Sequence, residues 1–148
     1  MKPQALILVI EDDVNDALLI RRTFKNAGVR NPYHIVSDGD SAIRYLVGTG
    51  VYADRHRYPL PKLVLLDLKM PGMNGFEVLR WIRNQPEFRK LRVVVLTASE
   101  EIRDVNEAYR LGANSFLVKP LEFQNVEALF ATLQAQLQAR NEPACCLN

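Results

Sequence analysis

The 148-residue sequence has almost no cysteine: two residues, adjacent at Cys145 and Cys146. Neighbouring cysteines bridge each other only with strain, so no disulfide framework is available. Such cysteine usage fits a reducing compartment, and a cytoplasmic location is expected. No run of 18 apolar residues occurs, which excludes a membrane-spanning helix. The first apolar run, Ala5–Ile10, meets Glu11, Asp12 and Asp13 at once, which is wrong for a signal peptide. Charge of one sign is not in excess. Nineteen Lys and Arg face seventeen Asp and Glu, for a formal charge of +2, too little for a dedicated nucleic-acid binder. There is no internal repeat and no low-complexity tract. The two histidines, His34 and His56, lie in no pattern with a Ser or Cys nucleophile, which argues against a hydrolase.

What is present is alternation. Short runs rich in Val, Ile and Leu stand at Ala5–Ile10, His34–Val36, Leu63–Leu66, Arg92–Leu96 and Ser115–Val118. Apolar on successive residues, they fit strands buried on both faces. Helical patterns separate them. Val14–Ala27 carries Leu18, Leu19, Arg22, Thr23 and Phe24 on its expected stripe, with Asp13 as N-cap, Asp16 in an acidic first turn and Gly28 as stop. Ser41–Val47, Gly75–Asn84 and Glu101–Leu111 follow. A fifth helix is expected over Phe123–Arg140, with Val126, Leu129, Phe130, Leu133 and Leu137 on one face. Strand then helix, five times, predicts an α/β parallel sheet with right-handed crossovers and helices on both faces. One connection, Gly48–Lys62, is long for a helix-to-strand loop.

In such a sheet, ligands sit beyond the carboxyl ends of the strands. The first strand ends in Glu11-Asp12-Asp13, the third in Asp67, the fourth in Thr97-Ala98 and the fifth in Lys119-Pro120. Taken singly, the acidic cluster reads as a helix cap, Asp67 as a turn residue, and Thr97 and Lys119 as loop chemistry. Together, three carboxylates offer hard oxygens suited to Mg²⁺, and their mutual repulsion asks for a cation. A lysine and a hydroxyl complete a clamp for a transferring phosphoryl group.

The segments Val9-Ile10-Glu11-Asp12-Asp13, Leu65-Leu66-Asp67-Leu68-Lys69-Met70-Pro71-Gly72-Met73-Asn74-Gly75, Leu96-Thr97-Ala98 and Leu117-Val118-Lys119-Pro120 resemble the receiver domain of two-component response regulators, over about residues 5–138. The resemblance implies a flavodoxin-like fold with strand order 2-1-3-4-5. It implies Asp67 as the phosphoacceptor for a partner histidine kinase. It also implies Glu11, Asp12, Asp67 and the backbone carbonyl of Lys69 as the Mg²⁺ site, with Lys119 pairing the phosphoryl oxygens. Thr97 and Phe116 stand at the switch positions, and the Lys119–Pro120 bond is expected to be cis. A module of this kind is a phosphorylation switch rather than an enzyme acting on other substrates. The alternative is a Mg²⁺-dependent aspartyl-phosphate phosphatase or phosphotransferase acting on a small molecule. Such enzymes carry a second Asp two residues after the nucleophile, where this sequence has Lys69.

Receiver residues are expected over 1–140, with a tail at 141–148 and no output domain. The signal would then leave through the receiver surface toward an unknown downstream protein. The long loop, with Tyr52, Tyr58, Pro59 and Pro61, and the long fifth helix resemble the small single-domain regulators that serve bacterial phytochrome kinases, notably cyanobacterial ones. That subgroup implies light signalling. Ile102, Val105 and Tyr109 on the fourth helix, with Phe123 and the Ala- and Gln-rich stretch from Ala131 to Ala139, suggest a two-fold contact and a homodimer. Arg80, Arg83, Arg89, Lys90 and Arg92 are expected to form a solvated face.

Overall fold

The computed structural model describes residues 5–131. Five strands, β1 (Leu6–Ile10), β2 (Tyr33–Val36), β3 (Pro61–Leu66), β4 (Arg92–Thr97) and β5 (Ser115–Val118), alternate with helices α1 (Val14–Asn26), α2 (Gly39–Val47), α3 (Gly75–Asn84) and α4 (Ile102–Arg110). A fifth helix, α5, occupies 123–131, where the description stops. The strands are all parallel, in the order β2-β1-β3-β4-β5, as the resemblance implied. The expected course of the fifth helix from 132 to Arg140, the tail and its two cysteines lie outside the described residues.

The alternation of side chains across each strand builds two cores. Leu6, Leu8 and Ile10 of β1, Val64 and Leu66 of β3, and Val93 and Val95 of β4 face one way, against Tyr45, Leu46, Val78, Ile82 and Ala108. Ile7, Val9, Leu63, Leu65, Val94 and Leu96 face the other way, against Ile20, Phe24, Val126 and Leu129. Helices α2, α3 and α4 therefore cover one face, and α1 and α5 the other. The three inner strands are buried along nearly their whole length. The edge strands β2 and β5 are only half-buried, because each lacks a neighbour on one side.

The buried positions of α1 are Ile20 and Phe24, while Leu18 and Leu19 are about half exposed. Of the expected stripe Phe24 alone is buried, and Ile20, which the stripe did not include, joins it. The helix docks on the i, i+4 pair whose ring can reach the sheet. Phe24 meets Tyr33 edge-on at 5.0 Å and Phe130 at 6.2 Å, contacts worth about 0.5–1.5 kcal/mol each beyond burial. α2 starts at Gly39 rather than Ser41, since Asp38 is the residue whose side chain accepts the cap bond, from the Ser41 amide at 2.6 Å.

The basic group is not one solvated face. Arg80, Arg89 and Lys90 are exposed, but Arg83 threads inward. It donates to the carbonyls of Gly112 (3.0 Å), Phe88 (3.1 Å) and Leu91 (2.7 Å), and to Asn114 Oδ1 (2.9 Å). Its five N–H donors make guanidinium the side chain able to satisfy so many loop acceptors at once. Burial lowers its pKa from the ordinary value.

The long connection is also built. After a left-handed Gly48 and a 3-10 turn at Gly50–Ala53, Arg55 reaches back to cap α2, donating to the carbonyls of Tyr45 (2.8 Å) and Leu46 (2.9 Å). These are among the end-of-helix acceptors that have no partner inside the helix. The Tyr45 hydroxyl donates to the Pro59 carbonyl at 2.8 Å. Tyr45, Tyr52 and Tyr58 pack ring against ring at 5.1–5.9 Å. β3 begins at Pro61, two residues earlier than the apolar run suggests.

Candidate functional site

Parallel pairing carries four strand ends to one rim. The ladder is continued beyond the strands by backbone bonds of the functional residues themselves. The Glu11 amide donates to the Val36 carbonyl (3.0 Å), the Asp67 amide to Ile10 (3.1 Å) and the Lys119 amide to Thr97 (2.8 Å). Glu11, Asp67 and Thr97 are thereby fixed in place and almost fully buried. Asp12 is half-buried. Gly75 presses on the same segment. A Cβ there would fall 2.7 Å from the Leu68 Cα and closer still to the Asp67 carbonyl, so only glycine lets α3 start so near the acid.

Glu11, Asp12 and Asp67 each bring a carboxylate oxygen to within 4.8 Å of the others. Lys119 sits among carboxylates. Its Nζ lies 2.6 Å from Glu11 Oε2, 2.7 Å from Asp16 Oδ2 and 3.3 Å from Asp67 Oδ2. Burial works to lower its pKa, but the bonds from Asp16 and Glu11 and the Asp67 charge raise it overall. The ammonium is therefore a permanent charge. Glu11 goes up to about 7, chiefly through burial, with the Lys119 bond opposing and the Asp67 charge adding. The second Asp67 oxygen accepts from the Lys69 amide at 3.2 Å. The Lys119–Pro120 peptide is cis. Beside it a cavity of about 250 Å³ opens between α1 and the segment after β5, lined by Leu19, Ile20, Pro120 and Leu121 among others.

On β4, next to β3, the Thr97 hydroxyl is buried and has no hydrogen-bond partner among the described residues. Phe116 is half-buried against the core on the α4 side. The Lys69 side chain turns away from Asp67 and pairs with Asp104 Oδ2 at 3.1 Å.

A family model described as the response regulator receiver domain matches residues 7–131. The chain belongs to the response regulator receiver family. It is 38% identical over 122 residues to the probable methanogenesis regulatory protein FilR2 of Methanothrix harundinacea, covering 82% of this chain and 76% of that protein. To the response regulator Rcp1 of Synechocystis it is 35% identical over 132 residues, covering 89% and 86%. Among solved structures it is similar to the bacteriophytochrome response regulator RtBRR, at 38% identity with a TM-score of 0.77, covering 88% of this chain and 78% of that one. It is also similar to the phosphorylated cyanobacterial phytochrome response regulator RcpA, at 32% identity and a TM-score of 0.72 over 89% and 90%. A third is the Mn²⁺-bound form of Rcp1, at 34% identity and a TM-score of 0.71 over 88% and 90%. A receiver of this family is a signalling module rather than a classical enzyme, and it works with a histidine kinase. Among the described residues no helix is long and apolar enough to cross a membrane.

Sequence reading missed two acids at this rim, Asp16 and Asp104. Both stand in the first turn of a helix that starts at the carboxyl end of a strand. Helical Cα–Cβ bonds tilt toward the N-terminus, so first-turn side chains lean back over the rim. That direction was the available signal. The favourable interaction of Asp16 with the helix dipole does not by itself announce this second role.

Proposed function

We propose that Asp67 takes a phosphoryl group from a phosphohistidine of the partner kinase. An Asp67 carboxylate oxygen attacks phosphorus. The P–N bond breaks with its electron pair left on the imidazole nitrogen, and an acyl phosphate forms. The observation that carries this reading is the setting of Asp67. It is a buried carboxylate with Lys119 on one oxygen, a backbone N–H on the other, and an unpartnered buried hydroxyl, Thr97, on the next strand. A buried hydroxyl left without a bond costs about 1–3 kcal/mol. Such a group is retained at a site where a new acceptor arrives.

Glu11, Asp12, Asp67 and the backbone carbonyl of Lys69 would hold Mg²⁺. The fit rests on the three carboxylates, whose oxygens gather within 4.8 Å of one another, and the Mn²⁺-bound Rcp1 structure supports a divalent cation of this class. Bound there, the cation offsets charge on the phosphoryl oxygens. Lys119 grips one of those oxygens, Thr97 turns its hydroxyl to another, and Phe116 follows inward. The altered surface is that of α4, β5 and α5, where Ile102, Tyr109, Val118 and Phe123 are exposed. We take this as the face of a homodimer and of contact with a downstream protein. The receiver extends over 1–140 with a tail at 141–148, and it acts in the cytoplasm. The likeness to RtBRR, Rcp1 and RcpA supports a light-sensing phytochrome kinase as donor.

Incubation with acetyl phosphate and Mg²⁺, followed by intact-mass measurement, tests the core of this reading. The native protein gains one phosphoryl group, and Asp67→Asn gains none because an amide is no nucleophile here. Labelling that survives in Asp67→Asn, or in excess chelator, refutes it.

A further inference from the structure

The geometry points to Asp104 as a positioning residue that holds Lys69 away from Asp67 and so sets the lifetime of the acyl phosphate; this rests on Asp67 being the phosphoacceptor. Lys69 starts close to that acid. It follows Asp67 by two residues, and its own amide donates to Asp67 Oδ1 at 3.2 Å. Its ammonium nonetheless turns to α4 and meets Asp104 Oδ2 at 3.1 Å. The two partners are not alike. The Asp104 side chain is 10% exposed and that of Lys69 58%. Asp104 is further anchored by the Ser99 hydroxyl, which donates to the same oxygen at 2.6 Å. The Ser99 bond first, and then Lys69, hold the Asp104 carboxyl below its ordinary range. Asp104 is thus a fixed, ionised post, and Lys69 is the movable end.

Phosphorylation changes the competition for that end. In the resting state the charge on Asp67 is already met by Lys119 at 3.3 Å, so Lys69 has little reason to leave Asp104. Phosphorylation takes this position from the single negative charge of the carboxylate to about two, and it adds further strong acceptor oxygens. Lys69 then has an alternative within reach of its own backbone position. Its departure does not orphan Asp104, which keeps the Ser99 bond. Ser99 lies two residues beyond Thr97, so a shift of Thr97 pulls on the post as well. The acyl phosphate ends when a water oxygen attacks phosphorus, the bond to the Asp67 oxygen breaks with its electron pair on the carboxylate, and the water proton passes to solvent. A lysine drawn over the phosphoryl group crowds that water. Asp104, by holding the lysine back, shortens the lifetime.

The test follows decay of the acetyl-phosphate-labelled full chain by intact mass in native protein, Asp104→Asn, Ser99→Ala, Lys69→Asn and the double variant Asp104→Asn/Lys69→Asn. Asp104→Asn is expected to lengthen the lifetime roughly two- to tenfold, within the coupling range of side chains in contact. Ser99→Ala, which loosens the post without removing its charge, lengthens it less. Lys69→Asn shortens it, and the double variant matches Lys69→Asn, since Asp104 acts only through the lysine. A merely structural role for Asp104 would shift melting temperature but would not vanish when Lys69 is absent. Unchanged lifetimes in Asp104→Asn, or an Asp104 effect that persists without Lys69, overturn the proposal while leaving labelled Asp67 intact. Absence of any label on native protein instead overturns the phosphoacceptor reading, and this proposal with it.

Discussion

The two ends of the sheet are built to opposite specifications. On the β2 side, the loop from Gly48 to Leu60 is fastened at every turn. Arg55 caps α2, the Tyr45 hydroxyl holds Pro59, and His34 Nε2 donates to the Arg57 carbonyl at 3.1 Å. On the β5 side two features are left open. Thr97 has a buried hydroxyl with no partner among the described residues, and the N-cap of α4, Glu101, makes no side-chain cap bond. Apolar side chains stand in solvent there, with Ile102 76% exposed and Phe123 50%. The difference separates scaffold from switch. A segment can change state only if its bonds in the resting form leave something to gain. Val47, Val51 and Leu60 are exposed on the β2 side as well, so the contrast lies in the polar groups: those of the β2 loop have little left to gain, while the β5 side has a free hydroxyl and a movable lysine.

The largest expected effect comes from attacking the scaffold. Tyr45 is among the largest fully buried side chains and joins α2 to the loop. Tyr45→Ala should cost about 3–5 kcal/mol, the usual penalty for truncating a buried aromatic, read by urea unfolding. The surviving folded protein should still be labelled at Asp67 with unchanged lifetime. A changed lifetime would mean that the loop takes part in switching, and the comparison would fall.

The same tyrosine gives a pH test. Burial first, with the Tyr52 and Tyr58 phenols adding and Arg55 opposing, pushes the Tyr45 phenol from 10.0 up to about 12. The folded state thus resists ionisation more than the unfolded state does. The stability it contributes is whole below pH 10 and is lost as pH climbs toward 12. Native protein should therefore lose stability over that window faster than Tyr45→Phe, in which every other basic group still titrates. Parallel stability curves for the two proteins would show that the phenol ionises equally well in both states.

How far the sequence carried these conclusions depended on the range of the interaction. Strand positions and the rim residues Glu11, Asp12, Asp67, Thr97 and Lys119 were legible because each sits at the end of an apolar run, a local signal. The order 2-1-3-4-5 came through the family resemblance, since nothing local dictates which strands pair. What escaped was set by packing at a distance. Which side of α1 meets the sheet was decided by the reach of Phe24 to Tyr33 and Phe130. The role of Arg83 depends on acceptors at Phe88, Leu91, Gly112 and Asn114, which its own helix does not announce. The partner of Lys69 lies 35 residues along the chain, at Asp104.

On the switch side, Thr97→Val replaces a hydroxyl that has no bond by a methyl of similar size. Stability should hold or rise, by up to about 1 kcal/mol, because an unsatisfied buried donor is removed. Labelling at Asp67 should persist. The chemical-shift changes that phosphorylation produces in α4 and β5, followed by NMR, should be lost. A loss of stability would mean that the hydroxyl has a resting partner, such as water, and that the switch side is less open than drawn.

The smallest effect on folding, and the sharpest test of what the open side is for, lies at Ile102. With 76% of its surface in water, it contributes little to the core, and Ile102→Ser should change stability by no more than about 0.5 kcal/mol, as for other surface substitutions. Yet Ile102, Tyr109, Val118 and Phe123 are exposed together on neighbouring elements, and apolar groups gathered on one face gain from being covered. A second copy of the chain, related by a two-fold axis, would cover each set with the other. Sedimentation at tens of micromolar should show the native protein shifting toward dimer with a phosphoryl mimic, and Ile102→Ser shifting much less. A native protein that stays monomeric in both states refutes the homodimer. One that dimerises equally well with Ile102→Ser places the contact elsewhere on the surface.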